Sequence, residues 1–540
     1  MRSFRVFLFL ALAAAWAGAQ IQDISAERIR AHVKFLAHDL LEGRAPGTRG
    51  GQLAVEYLAA QFALVGAKPA GENGTYFQRV PLVGVEPQPN SRLSAEGAKG
   101  KIEFRWLDEF VGVNRRQREF EEINAEAVFV GHGIVAPEFQ WDDFKGVDVR
   151  GKVLVLFTNE PPSTDPKFFG GRALTYYGRW TYKFEQAVRV GAVGAIIIHT
   201  TPTAGYGWQV VRNSWSGEDP YVRLKPDEPE LAFAGWVSEE AGGKLLGMAG
   251  YKVEELLKRA ASRDFKPIPL NLRIRGSFHS KIRDIETYNV AAVIPGSDPA
   301  LAQEAVIFSA HWDHLGIGPA VNGDNIYNGA VDNATGCGML IEIARLWASL
   351  EPKPRRSALF LAVTAEEGGL RGSDYYAQHP LVPPGKTAVA INFDGFLPFG
   401  RTRDVVALGA ERTTFWPVVQ DLARQAGLVL KPDQRPEQGS FYRSDHFSFA
   451  KAGIPAFSLH AGVDLEGKPE GYGQKLFEEF NAKHYHQPSD EYRDDWDLSG
   501  MEQVARFGAM LGQAAANLDR LPSWNAGEEF LAIRQKSGVK

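Results

Sequence analysis

The chain has 540 residues, 44% of them hydrophobic and 23% charged, and a formal net charge of −5. That length exceeds one typical core and requires two or three domains. The mild acidity lacks the clustered positive charge a nucleic-acid partner needs, and a single cysteine, Cys337, excludes an intrachain disulfide.

Residues 1–19 read as a secretory leader: Arg2 and Arg5, an apolar run over 6–16, and Ala17-Gly18-Ala19 as a cleavage site. The run is shorter than the roughly 20 residues a membrane span needs, and no later stretch reaches that length. The expected product is exported, periplasmic or secreted, without a membrane span.

Residues 20–124 begin with two helices. Ser25 caps the first, with Ile29, Val33 and Leu36 at helical spacing; the second carries Leu53, Tyr57, Leu58, Phe62 and Val65 and stops at Gly66. Glu42-Gly43-Arg44-Ala45-Pro46-Gly47-Thr48 breaks the pattern between them. Short strands and loops follow. Over 125–262 the texture changes to strands at 127–130, 153–157, 195–198 and 231–234, with one helix at 181–190, and this stretch reads as a separate β-rich α/β domain. Its histidines, His132 and His199, are taken as structural.

From 263 to the end, strands and helices alternate as in an α/β fold with helices flanking a mostly parallel sheet. Strands are expected at 287–294, 305–310, 358–363 and 388–393, and helices at 337–349, 413–426 and 501–518. Cys337 reads as a buried structural thiol. The polar tail after Pro522 is expected to pack loosely.

Chemistry gathers at the carboxyl ends of these strands, where α/β sheets bind ligands. His311 follows 305–310, Glu366 and Glu367 follow 358–363, and Asp394 follows 388–393; Asp332 opens the helix at 337–349, and His486 lies far along the chain. Taken singly, a Glu-Glu pair is an ordinary surface feature, and Asp332-Asn333-Ala334-Thr335 an ordinary helix cap that doubles as a glycosylation sequon. Together, two His, one Glu and two Asp form a hard-to-borderline ligand set that suits zinc, with manganese or cobalt as alternatives. Two metals about 3.5–4 Å apart require a bridging carboxylate. Asp332 is the candidate, with His311 and Asp394 completing one site and Glu367 and His486 the other.

Adjacent side chains on an extended chain diverge, which leaves Glu366 free as general base towards a metal-acidified water and then as proton donor to the leaving amine. Asp313 and Asp490 are candidate orienting partners for His311 and His486, and Tyr485 is a candidate oxyanion donor. His314, His379, His446, His460 and His484 are read as structural or surface groups.

The stretches Ser309-Ala310-His311-Trp312-Asp313-His314, Asp332-Asn333-Ala334-Thr335-Gly336, Thr364-Ala365-Glu366-Glu367-Gly368-Gly369-Leu370-Arg371-Gly372-Ser373, Asn392-Phe393-Asp394, Ser444-Asp445-His446 and Tyr485-His486 resemble metallopeptidase family 28, the di-zinc aminopeptidases and their glutamate-carboxypeptidase relatives. The resemblance implies the di-zinc exopeptidase fold with a mixed sheet and two zinc ions per chain. It also implies Asp332 as bridge, Glu366 as base, Tyr485 as transition-state donor and a cis peptide after Asp332. Through Val130-Gly131-His132-Gly133-Ile134 and 191–197, residues 125–262 are similar to the inserted protease-associated domain of larger members.

The expected activity is removal of N-terminal residues from peptides. A carboxypeptidase or dipeptidase on the same site is the alternative, since Arg443 and Arg371 are available for a terminal carboxylate. A glutaminyl cyclase would work with one zinc, and receptor-like relatives lose ligands; the complete set speaks for hydrolysis. The loop 438–449, with Phe441 and Tyr442, is the expected wall for an apolar substrate side chain.

Overall fold

A computed structural model describes residues 23–204 and 207–539; the leader expected at 1–19 lies outside them. Two compact units are present. One comprises 286–434 and 443 onwards with the N-terminal segment up to Val80; the other comprises Pro81–Ile285 and Arg435–Tyr442.

The first unit is a mixed, mostly parallel sheet flanked by helices. Its strands are β1 (Ile268–Ile294, of which the last residues belong here), β2 (Ala305–His311), β3 (Ser357–Val363), β4 (Thr387–Phe393), β5 (Asp404–Leu408) and β6 (Ala456–Ala461). The order across the sheet is β1-β3-β2-β4-β6-β5. β3, β2, β4 and β6 are parallel and β1 and β5 flank them antiparallel; the short strands Lys68–Pro69 and Val429–Leu430 pair outside β1 and β5. β2, β3 and β4 are buried end to end. Continuous apolar runs suit strands covered on both faces. Because the chain leaves β2 for β3 on one side and then crosses to β4 on the other, the carboxyl end of β2 is a topological switch point, the usual address of a ligand site.

Helices α1 (Ala26–Leu36), α2 (Arg49–Leu64), α3 (Thr335–Ser349) and α4 (Ser499–Asn517) belong to the same unit. α3 is buried almost all round. Gly338 lets α1 approach it, since a Cβ there would meet Val33 at 3.3 Å, and Gly512 of α4 lies against Phe308 of β2 in the same way. The tail does not pack loosely: Trp524 and Phe530 are buried, and Arg534 donates to the carbonyls of Pro522, Pro384 and Thr387. A polar composition conceals this because the arginine is satisfied by backbone carbonyls.

The second unit has parallel strands Val153–Phe157, Gly194–Ile198 and Phe233–Val237. Its reach exceeds the expected 125–262. Phe120–Phe129 and Arg92–Gly97 both pair antiparallel with the first part of β1, which draws 81–124 and 263–285 into this unit. β1 is one 27-residue strand that runs through both units. The expected boundary between 262 and 263 is not where the units part, because pairing partners distant in sequence, not local composition, decide where a strand belongs. His132 and His199 are buried, as expected of structural groups. Phe441 and Tyr442, expected to line a substrate wall, are also buried.

Candidate metal centre

His311 is the last residue of β2, in register with Val363 at the end of β3. Its Nδ1 lies 3.2 Å from the backbone carbonyl of Asp313, which leaves Nε2 facing Oδ1 of Asp332 and Oδ1 of Asp394, each at 3.1 Å. Asp394 is held by a buried relay. Ser309 donates to Asn392, Asn392 donates to the Ser444 hydroxyl, and Ser444 donates to Asp394 Oδ2 at 2.5 Å.

Asp332 sits in the turn Ala330–Ala334 that opens α3, and its peptide bond to Asn333 is cis. Asn333 is fully buried. Its amide donates to the Phe393 carbonyl and accepts from Gly336, tying this turn to the end of β4, so the sequon asparagine is already occupied. Oδ2 of Asp332 lies 3.2 Å from Nε2 of His486, and that nitrogen lies 3.1 Å from Oε2 of Glu367. Asp332 therefore faces an imidazole with each of its oxygens, and each imidazole faces one further carboxylate. All five sequence-derived ligand candidates converge.

Glu366 and Glu367 lie in a tight turn after β3, with Ala365 at φ +51°, rather than on extended chain. They still diverge. The charges acting on the Glu366 carboxyl are those of His311, Asp394, Glu367 and Asp445, and those acting on Glu367 include Asp332, His486 and His314. The Asp313 carboxylate accepts from the backbone N–H groups of Glu366 and Glu367 at 3.1 and 3.4 Å and stands 3.8 Å from the His311 ring. It holds the Glu-Glu turn, and the imidazole is set by its carbonyl instead. Asp490 likewise does not orient His486; its carboxylate accepts from the N–H groups of Val331 and Asp332 at 2.9 and 3.1 Å. Tyr485 is half-exposed and stacks on the His486 ring at 3.9 Å between centroids.

Sequence reading passed over His314, which is buried with Nδ1 2.6 Å from Oε1 of Glu367. Its spacing three residues after His311 is a faint signal. Cys337 is buried, donates to the His311 carbonyl, and burial pushes its thiol up to about 12; it is inert, as expected.

So many buried acids in one place shift their neighbours. Burial pushes Asp445 up to about 7 and Asp313 and Asp490 up to about 6. Burial, with the adjoining carboxylates, holds Glu366 well above the usual range. Burial also works against Glu367, yet the His486 and His314 charges hold it near 2. Burial opposes protonation of His311 and His486, and the facing carboxylates override it and raise both well above the ordinary histidine value.

The donors fit metal ions. Ligands about 2.0–2.2 Å from a tetrahedral ion sit roughly 3.3 Å apart, and the spacings here are 3.1–3.2 Å. Donor atoms of His311, Asp332 and Glu367 all lie within 4.8 Å of one another. Nε2 of His486 and Oε1 of Glu367 are buried and, with Asp332, Glu367 and His314 at ion-pair distance, make no well-directed hydrogen bond, a condition that suits atoms directed at a cation.

Fold and donor set together define an α/β protein with a polyvalent metal-ligand cluster at its topological switch point. Residues 289–511 match the model of Peptidase family M28. It is 29% identical to Carboxypeptidase Q of Xenopus laevis over 46% of this chain and 43% of that protein. It is 27% identical to Leupeptin-inactivating enzyme 1 of Streptomyces exfoliatus over 52% of this chain and 58% of that protein. An Aminopeptidase of Pseudomonas aeruginosa (strain UCBPP-PA14) is 24% identical over 80% of this chain and 69% of that protein. The chain thus spans about half the length of the first two relatives. Among solved structures, the aminopeptidase from Aneurinibacillus sp. strain AM-1 superposes with a TM-score of 0.50 at 20% identity, covering 93% of this chain and 97% of that one, a likeness of fold.

Proposed function

We propose that this protein is an exported zinc-dependent exopeptidase that removes N-terminal residues from peptides. The observation that carries the reading is Asp332 lying between two imidazoles, each of which faces one further carboxylate. In this reading His311 and Asp394 hold one zinc ion, Glu367 and His486 hold a second, and Asp332 is shared. Zinc held there would supply an acidified water and a Lewis acid for the substrate carbonyl.

The protein's own groups do the rest. Glu366 binds no metal. Its carboxylate takes the proton released as water attacks the carbonyl, then returns it to the leaving amine nitrogen. Its raised affinity for protons suits the second half of that task. Tyr485, anchored by stacking on His486, donates a hydrogen bond to the oxygen that becomes negative at the tetrahedral carbon. Asp313 fixes the turn that separates base from ligand, and Asp490 fixes the backbone of Asp332.

Donor availability favours an ammonium over a carboxylate at this site. The charges acting on Asp332 include those of His311 and His314, and the guanidinium of Arg44, charged but with its donors engaged by backbone carbonyls, has none to offer a carboxylate. A free N-terminus is attracted there, while a free C-terminus needs an arginine or lysine to meet it. We read the second unit as an inserted protease-associated domain, on the support of its parallel strand core between segments of the first. Export rests on the leader read at 1–19; among the described residues no helix is long and apolar enough to cross a membrane.

The test is metal content together with hydrolysis of a matched panel: free-amine aminoacyl substrates, N-blocked peptides with free C-termini, and N-terminal glutaminyl peptides. The reading expects two zinc ions per chain and cleavage of the free-amine set alone. Cleavage of the blocked set makes the protein a carboxypeptidase, and cyclisation with a single zinc overturns the hydrolase reading.

A further inference from the structure

We propose that Arg44 is a positioning residue for the metal centre, its guanidinium locking together the two loops that deliver His311 and Asp332. The inference rests on the metal reading above. Arg44 belongs to Glu42-Gly43-Arg44-Ala45-Pro46-Gly47-Thr48, a stretch that the sequence presents only as a break between α1 and α2.

The side chain is buried, 1% exposed. Nε donates to the Trp312 carbonyl at 2.8 Å, one residue after His311. Nη2 donates to the Gly329 carbonyl at 2.9 Å, and Nη1 donates to the carbonyls of Asn328 and Leu36. One planar fork thus joins the loop after β2, the loop before Asp332 and the end of α1. Only arginine offers five donors in such a rigid plane; lysine keeps the charge and loses the geometry.

The backbone is shaped for this placement. Glu42, Gly43 and Arg44 have φ of 49°, 69° and 53°, three left-handed residues in succession. Such conformations persist where the surroundings over-determine them. A Cβ at Gly43 would lie 2.4 Å from the Tyr327 carbonyl, so the turn presses on the strand that leads into Asp332. The contact is returned: Asn328 donates to the Ala37 carbonyl and to Asp39, at 2.9 and 2.8 Å.

Arg44 also meets an electrostatic need. A buried cation is costly without opposite charge. The hydrogen bonds of Arg44 go to carbonyls, and the negative field it feels includes Asp313, Asp490 and Asp332. Burial works against its charge, and the field of these acids supports it.

The experiment uses the full chain with Arg44→Lys and, separately, Asn328→Ala, which removes the return ties and leaves Arg44 in place. Zinc affinity of the metal-free protein is measured by chelator competition, hydrogen exchange is followed over 309–316 and 326–334, and kcat and KM are measured at saturating zinc. For R44K, zinc affinity should fall about 10–100-fold, the usual effect of losing a group that orients ligands. Both loops should exchange faster, and kcat should fall while KM stays near the wild-type value. N328A should move the same readouts less. Wild-type zinc affinity and wild-type exchange in a folded R44K overturn the proposal, as does a lowered melting point with unchanged zinc affinity. If R44K does not fold, N328A decides on the same readouts, unchanged values again overturning it. If the wild-type chain takes up no zinc, the metal reading fails instead, and loop exchange still reports whether Arg44 holds the two loops.

Discussion

His311 and Asp394 stand at the ends of adjacent parallel strands, whereas Glu367 and His486 stand on turns. The His311 side chain is 1% exposed and the His486 side chain 34%. The strand-borne pair is braced by the Ser309–Asn392–Ser444 relay. On the other side, His486 has φ +56° in the turn that follows the helix Tyr472–Lys483, and Glu367 is steadied by His314. One half of the centre inherits its geometry from the sheet. The other is assembled from loops that owe their positions to side-chain ties, and so is the half that should respond first to chelation and mutation.

The largest effect is expected at the base, which leans towards the strand-borne half. Glu366→Gln should lower kcat by about 10²–10⁴-fold with zinc still bound. Glu367→Ala, one residue on, should instead release zinc from the turn-borne half, seen by metal analysis after dialysis. Retained turnover in Glu366→Gln would sink the assigned base.

Next come the ligands themselves. His486→Ala should leave one ion held by His311, Asp332 and Asp394, while His311→Ala should weaken retention of both, because the ring also braces Asp332. Equal losses in the two variants, measured by zinc titration, would erase the difference drawn between the halves. Asp490→Asn keeps the size of the group and weakens its acceptance from the N–H groups of Val331 and Asp332. It should cost about 10–100-fold in zinc affinity, and an unchanged affinity would remove Asp490 from the account.

The smallest effect is one of pH on the metal-free protein. Asp313 and Asp490 titrate near 6 and Asp445 near 7 when folded, above the ordinary 3.8, chiefly through burial. A raised carboxyl binds its proton more tightly folded than unfolded, so its contribution to stability declines as pH rises from about 4 through 6–7. His311 and His486, also raised, lose their contribution as pH climbs from 6.5 through their higher folded values. Both trends run the same way. The metal-free chain should melt lower at pH 8 than at pH 5, and zinc should flatten that slope. A metal-free melting point that rises over this interval would contradict it.

Much of the centre was legible in the sequence because the strand-borne half obeys a local rule: an apolar run followed by a ligand. His311, Asp394 and the Glu366-Glu367 pair announce themselves that way, and the buried sheet follows from the same runs. The supporting groups follow no local rule. Asp313 and Asp490 sit near histidines in sequence, yet they accept from backbone N–H groups elsewhere, because folding decides which donors lie within hydrogen-bond reach. Arg44 and Arg534 look like surface residues until distant carbonyls surround them. The boundary of the second unit escaped for a related reason, since β1 continues through it by pairing with strands distant in sequence, Phe120–Phe129 and Arg92–Gly97.

Sharing of Asp332 by two metal sites is decided by titrating the metal-free protein with zinc, in the wild type and in Asp332→Ala. The account expects two ions per wild-type chain and a variant that loses tight binding at both positions together. Two ions held by Asp332→Ala at wild-type affinity, or the loss of one site with the other untouched, would contradict it.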